Sequence, residues 1–433
     1  MRTTFIAVVV LLSAVSVAQS VPSVPPSRPP AMTIEEIEHQ AMANNPEIRA
    51  AERRVAVTQI QASVAGALDD TMLMYRNWGT PLSKPWDWNQ SQHMFMYQQT
   101  LPGPGKRAAR AEVVNRQATE NEALVEVSRR EIAVRVRKAY YDLLRSADEH
   151  RIHNEQMDLS KQALQSATVK YTVGRVPQQD VLKAQIAITR LADHLVMLDQ
   201  EEESARADLN ALMGRDPGAP LEVVGHYGDV LVLPSLPELE RIALEQRPEL
   251  KAIEATSGVA QAQLLLARKA YTPDFTVAGG YMLMPAGALY RNNYMAELTV
   301  SFPWLNRRKH DGEIKEAKAA ALVVSSEHDS QVNAAFLEIQ QALIRARAAE
   351  RSLRLYKDTL RPQAEAAVRS ASTAYQHDRT DFLNLIDSQN LLLDVEISYF
   401  RVAANFDARI AELERAIGAP LPATSPAADG EVK

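Results

Sequence analysis

A chain of 433 residues with 48 basic and 54 acidic side chains carries a net charge of -6, too mild to make a case for nucleic-acid binding. It contains no cysteine, which excludes disulfides, thiolate metal sites, a cysteine nucleophile and a lipidated cysteine behind a leader, so no lipid anchor is expected. The length accommodates two or three ordinary domains.

In chain order, Met1-Arg2 and the apolar run 5–17 read as a secretory signal peptide over residues 1–18, closed by the small-residue site Ser16-Val17-Ala18. No later run reaches about 18 apolar residues, so any membrane crossing must use strands. Residues 19–32 form a proline-rich linker. Thr33-Ile-Glu-Glu36 is a capping box that opens a helix to about residue 44, and Pro46 starts a second helix to about residue 67. The period then changes from helical to alternating, predicting strands at 70–78 and 92–101. Residues 106–170 lack proline and glycine, and Val134, Val136, Ala139, Tyr140, Leu143 and Leu144 recur three and four apart. That spacing predicts an amphipathic rod roughly 100 Å long. Gly174 and Pro177 break it, and a second helix runs back over about 178–213.

The same plan then repeats. Tyr171 and Asp180-Val-Leu-Lys183-Ala-Gln185 recur 204 positions later as Tyr375 and Asn384-Leu-Ile-Asp387-Ser-Gln389. Asn45-Pro46-Glu47-Ile48 matches Arg247-Pro248-Glu249-Leu250, and Ser235-Leu-Pro-Glu238 stands where the capping box stood. Strands are predicted at 274–284 and 293–302, and a helix at 248–270. The chain therefore divides into a first repeat at 33–218, an inter-repeat linker at 219–234, a second repeat at 235–421 and a disordered tail at 422–433.

Alternation along the strands has a chemical sense. Tyr294, Ala296, Leu298, Val300 and Phe302 share one face, while Met295, Glu297, Thr299 and Ser301 share the other. An apolar face toward lipid and a mixed face toward a lumen is the pattern of a membrane barrel. The alternative is a soluble sandwich with one wet face. Four strands cannot close a barrel, so a membrane reading demands several protomers. Gly105-Lys106 looks superficially like a phosphate loop, but Thr100 stands where the first glycine belongs and Arg107 where Ser/Thr belongs, so the stretch reads as a strand–helix junction.

The leader, the Asn44-Asn45-Pro46-Glu47 helix start, the paired strands and the duplicated turn Tyr171-Thr-Val-Gly174 to Asp180-Val-Leu-Lys183-Ala together resemble the TolC family of outer-membrane efflux and secretion channels. The resemblance spans residues 33–421. The Leu101-Pro-Gly-Pro-Gly-Lys106 junction with the turn at 173–185 is most similar to the heavy-metal efflux branch.

This resemblance implies a mainly α fold with a β-barrel contribution: a homotrimer whose strands form one barrel in outer-membrane lipid above a periplasmic helical tunnel. It implies a passive channel with no cofactor and no enzymatic activity. The implied partners are a periplasmic adaptor (membrane-fusion) protein and an inner-membrane pump of the resistance-nodulation-division type, with no nucleic acid. Val173, Gly174 and Arg175, with His377, Asp378 and Arg379, would be the adaptor-docking tips. Asp180, Lys183, Asn384 and Asp387 would line the periplasmic gate. There, a ring of Asp387 would attract cations, and Lys183 would offset it or pair with Asp387 or Asp180. Two other readings are a protein-secretion outlet and, less favoured, a periplasmic coiled-coil adaptor, which would need a flanking β domain.

Two metal-ligand sets suggest themselves. Seven of the thirteen methionines fall in or beside the strands: Met72, Met74, Met94, Met96, Met282, Met284 and Met295. Alternation points them at the lumen, where thioethers suit Cu(I) or Ag(I); methionine as a space-filler is the plain alternative. His150-x-x-His153 with Glu149 has the spacing of a divalent site on a helix face. No Ser-His-Asp arrangement or paired-carboxylate pocket is identifiable.

Overall fold

The computed structural model describes residues 31–80, 82–228, 232–377 and 379–422. The signal peptide, most of the proline-rich linker, Asp378 and nearly all of the tail lie outside them. Thr33 closes its capping box, donating its N–H to Glu36 Oε2 (3.0 Å) and accepting from the Glu36 N–H (3.5 Å), and α1 (Ile34–Asn44) follows. Asn45 caps α2 (Pro46–Ala65) by accepting the N–H groups of Glu47 and Ile48. Then come β2 (Met72–Trp78), β3 (Gln92–Leu101), the 67-residue α3 (Lys106–Thr172) and α4 (Gln178–Leu212). The second repeat supplies α5 (Leu236–Gln246), α6 (Pro248–Lys269), β5 (Phe275–Leu283), β6 (Asn292–Val300), α7 (Arg307–Leu355), α8 (Arg361–Gln376) and α9 (Phe382–Ile417). A short parallel pair, β1 (Ala31–Met32) with β4 (Glu222–Val223), lays the start of the first repeat beside the linker between repeats.

The repeats differ in two places. Ser235 makes no side-chain cap bond, because Pro237 removes one of the two N–H groups an N-cap serine would engage. And whereas α3 runs unbroken, its counterpart is interrupted by a π turn at Tyr356–Leu360. Pro362 follows immediately; it has no N–H to give the preceding turn, and the wider turn makes room for its ring.

The helices form a wall. Near the sheet, α3 lies between α2 and α6; farther down it lies between α4 and α9, and α7 flanks α6 and α9 beyond. The two levels meet where α2 begins and α4 ends. There Asn45 Nδ2 donates to the Leu212 carbonyl (2.9 Å), and in the second repeat Arg247 Nη1 donates to the Ala416 carbonyl (2.9 Å). Two related apolar cores sit at this level, one around Ile37, Ile132, Tyr140 and Leu209, the other around Leu239, Ile339, Leu413 and Ile417. Each large aliphatic side chain buried there contributes about 1.5–3 kcal/mol. Among the described residues no helix is long and apolar enough to cross a membrane.

The strands form one antiparallel sheet in the order β2-β3-β5-β6, so β3 and β5 join the two repeats and β2 and β6 are open edges. One face carries Leu73, Tyr75, Phe95, Tyr97, Val277, Tyr294 and Leu298, all well exposed; Leu73 is 81 % and Tyr294 88 % accessible.

Candidate channel site

The sheet is bracketed by aromatic side chains at both ends. At the turn end, Tyr75, Trp88 and His93 stack, with Trp88 and His93 centroids 3.5 Å apart. Both His93 ring nitrogens are engaged, Nδ1 with the Tyr75 hydroxyl (2.8 Å) and Nε2 with the Trp88 carbonyl (2.9 Å), so this buried histidine holds the loop in place. At the helix end, Phe302 and Trp304 pack edge to face at 5.2 Å. Aromatic girdles above and below an apolar band match what a bilayer's two interfaces select.

The opposite face of the sheet is read from its register. Arg76, Met94, Met282 and Asn293 form one cross-strand row; Met74, Met96, Gly280 and Met295 form the next; Met72, Gln98, Ala278 and Glu297 form a third. Six of the seven strand methionines therefore share this face. Met284 lies just past the end of β5, where its N–H bonds the Arg291 carbonyl.

Below the sheet, Asp274 joins the two repeats. It accepts the Lys106 ammonium on both oxygens (2.8 Å each) and the Gly103 N–H (2.7 Å). Partial burial pushes its carboxyl up, but the Lys106 and Gly103 bonds outweigh that and hold it below the usual carboxylate range. The Gly105-Lys106 stretch is thus a strand–helix junction, as its sequence indicated.

Midway down the wall, Glu149 is buried between Arg145 (2.7 Å, same helix) and Arg401 of α9. Burial raises its carboxyl, yet the two guanidinium partners more than reverse this. The geometry does not support the divalent site expected at His150 and His153. His153 Nδ1 is bonded to the Glu149 carbonyl (2.8 Å), His150 Nε2 faces Asp199 (3.2 Å), and Glu149 is committed to arginines. Among the described residues no group of three or more His, Asp or Glu is placed to hold a metal ion. Close by, Asp407 accepts the Gly228 N–H (3.1 and 3.2 Å), and burial pushes its carboxyl up to about 6. The neighbouring Tyr227 donates its hydroxyl to Asp148 (3.0 Å).

At the far end both hairpins turn alike. Arg175 N–H returns to the Lys170 carbonyl (2.9 Å) and Arg379 N–H to the Ala374 carbonyl (2.8 Å), the same span in each repeat. Gly174 takes the left-handed conformation at φ 73°. Asp381 caps α9 by accepting the Asn384 N–H, and Asn384 Nδ2 donates to Thr380 Oγ1. The hairpins are held together by Ala167, Ala184, Ala371, Tyr375 and Leu385, and by Lys170, whose ammonium sits 3.8 Å over the Tyr375 ring. Of the four expected gate residues, Asp180 is half-buried in the first turn of α4, while Lys183, Asn384 and Asp387 are exposed. Among the described residues no ion pair joins Lys183 to Asp180 or Asp387 within one chain.

The sequence model of the family described as "Outer membrane efflux protein" matches residues 38–215 and 239–419. The cobalt-zinc-cadmium resistance protein CzcC of Cupriavidus metallidurans is 23 % identical over 314 residues, covering 72 % of this chain and 74 % of the relative. The pyoverdine export outer membrane protein OpmQ of Pseudomonas aeruginosa is 23 % identical over 403 residues, covering 88 % and 82 %. Among solved structures, CusC superposes with a TM-score of 0.74 at 16 % identity, over 89 % of this chain and 92 % of that one. The outer-membrane channel OprN superposes at 0.72 and 18 % identity, over 89 % of each chain.

Proposed function

The chain belongs to the outer membrane efflux protein family, and from that premise we propose that three copies close their sheets into one barrel and pass heavy-metal cations outward. As a member it is an outer-membrane efflux channel with a periplasmic tunnel: a passive conduit, not an enzyme, which works beside an adaptor and a pump. The observation that carries the closed-barrel reading is the sheet itself. It has an apolar face exposed to its surroundings and two unpaired edges, which lipid does not tolerate in a single copy. Twelve strands from three copies suffice for a barrel.

The metal reading is supported by the match to CzcC and by the exposed Asp387 at the far end, which threefold symmetry would repeat as a ring of carboxylates. The pump is then of the resistance-nodulation-division type, and the adaptor docks at Val173–Arg175 and 377–379. A second reading, export of small organic molecules, is favoured by the longer match to OpmQ.

The test is a deletion strain challenged with cobalt, zinc, cadmium, nickel, copper, silver and common antibiotics. The metal reading expects sensitisation to cations, restored by the intact gene. Sensitisation to organic compounds alone, with metal tolerance unchanged, overturns it in favour of the second reading.

A further inference from the structure

Methionine is a weak choice for a strand. Valine, isoleucine and threonine suit the pleat better, and a face turned toward water ordinarily carries polar side chains. The rows at either end of the inner face follow that expectation, with Trp78 opposite Gln92 at one end and Gln98, Thr100, Thr276, Glu297 and Thr299 toward the helices. Between them the face turns to sulfur. Met94 and Met96 are 5 % and 6 % accessible, and Met74, Met282 and Met295 pack against them in one contiguous cluster. Among the described residues no helix or second sheet packs broadly over this face, so the cluster is not filling a gap between layers.

The centre of the cluster is Gly280. Met96 stands directly across from it on one neighbouring strand and Met295 on the other. A Cβ at position 280 would come within 2.7 Å of the Phe95 carbonyl, so no side chain occupies the space between those two thioethers. Met94 and Met282 face each other one pleat away. Met96 and Met295 flank Gly280 from the strands on either side, about 10 Å apart at Cα, and methionine has three rotatable bonds, so their side chains can reach over the glycine toward one ion, with Met94 beside them.

We propose that this patch, centred on Met94, Met96 and Met295, binds a soft monovalent cation, Cu(I) or Ag(I). Thioethers are neutral, polarisable donors that select such ions over Zn(II), Co(II) or Mg(II), and in a chain without cysteine they are its only soft side chains. Surrounding charge gives the patch a direction. Glu297 is exposed on the same face, two residues along β6 from Met295 toward the helices, where it draws cations in. Arg76 stands directly across from Met94 in its own row, where its guanidinium donates to Met74 Sδ (3.5 Å) and sits 5.7 Å from the Trp78 ring. The Arg76 charge beside Met94 weakens the hold on a bound cation, so the patch is a transit site and not a trap. The Gln92 amide donates to Met282 Sδ, leaving Met94, Met96 and Met295 as the sulfurs free of hydrogen-bond donors among the described residues. Placing the patch on a conduction path rests on the barrel reading above; the patch itself lies within one chain.

The test uses the full-length protein, purified in detergent in chloride-free buffer and dialysed to equilibrium against Ag(I), with bound silver measured by mass spectrometry. Met94→Leu/Met96→Leu/Met295→Leu keeps side-chain volume, and Met197→Leu on exposed α4 is the control. The expected result is about one Ag(I) bound per chain, an affinity loss of about tenfold or more in the triple variant, no loss in the control and no competition by Zn(II). Methyl-carbon-labelled methionine in the wild-type protein gives a second readout that does not depend on the variant folding: the Met94, Met96 and Met295 signals should shift on titration with silver. Equal silver binding by wild type and triple variant, or unmoved methyl signals, overturns the proposal. Silver binding in a protein whose deletion leaves metal tolerance unchanged would retain the patch and remove the metal-cargo reading; a sensitised strain with no binding would do the reverse.

Discussion

Arg401 on α9 donates Nε and Nη2 to the two carboxylate oxygens of Glu149 on α3, at 3.0 and 3.1 Å, so one bidentate ion pair joins the first repeat to the second across 252 residues. Glu149 is 1 % accessible at its side chain while Arg401 is largely exposed. The partners therefore contribute unequally. Glu149→Gln removes the buried carboxylate between Arg145 and Arg401, leaving Arg145 only its longer pairs with Glu201 (3.6 Å) and Asp142 (4.0 Å), and is expected to cost about 3 kcal/mol. Arg401→Ala leaves Arg145 still paired with Glu149 and should cost less, about 1–2 kcal/mol. Thermal unfolding of the detergent-solubilised protein measures both, and a larger loss for Arg401→Ala would contradict this ordering.

Asp407 makes stability depend on pH in an unusual direction for a carboxylate. Its folded-state pKa is raised to about 6 by burial, so the folded form holds the proton more tightly than the unfolded chain does. Its stabilising contribution is full below the unfolded value near 4 and is lost as pH rises through about 6. The difference is on the order of 2–3 kcal/mol. Asp407→Asn should flatten this part of the profile between about pH 4 and 6.5, seen as a smaller gain in unfolding temperature on acidification than in wild type.

Two left-handed glycines should respond very differently to alanine. At Gly174, φ 73°, an added Cβ meets nothing within 4 Å, so Gly174→Ala should cost only the backbone penalty of about 1–2 kcal/mol. At Gly214, φ 68°, the added Cβ would lie 2.6 Å from the Asn44 carbonyl, where α4 ends against α1. Gly214→Ala should therefore cost about 3 kcal/mol or more. Chemical denaturation midpoints of the two variants test the contrast.

Asp387 is exposed on the first turns of α9, and the proposed gate gives it a threefold ring. Asp387→Ala is expected to lower cation over anion permeability in planar-bilayer recordings, while Asn384→Ala, which removes no charge, leaves the ratio nearly unchanged. An unaltered ratio in Asp387→Ala would remove the ring from the account of selectivity.

Much of this architecture is legible in the residues. A rod of 67 residues without proline or glycine announces its own ends, and the strand at 92–101 alternates so regularly that its predicted bounds match those of β3. The family assignment and the fold class follow the same signals, because order, spacing and duplication are properties of the chain alone. What escapes is whatever depends on partners remote in sequence. Nothing near Glu149 marks Arg401 as its partner, and the histidines beside it attract a metal reading that the arginines forbid. Asp274 reads only as the first residue of a predicted strand until Lys106 and Gly103 meet it. The π turn before Pro362 had a visible signal in that proline, but the response, a widened turn within a nearly continuous helix, depends on how α7 and α8 must both pack along α9.

The bare margins of the sheet reach beyond the finished pore to how the pore is made. A lone newly exported copy carries unsatisfied amides and carbonyls along β2 and β6, so hydrocarbon rejects it until neighbours arrive. Association must then precede or accompany insertion, and each pore depends on every subunit it recruits. A copy able to associate but crippled in one margin would poison assemblies it joined, and its gene would behave as dominant over an intact one.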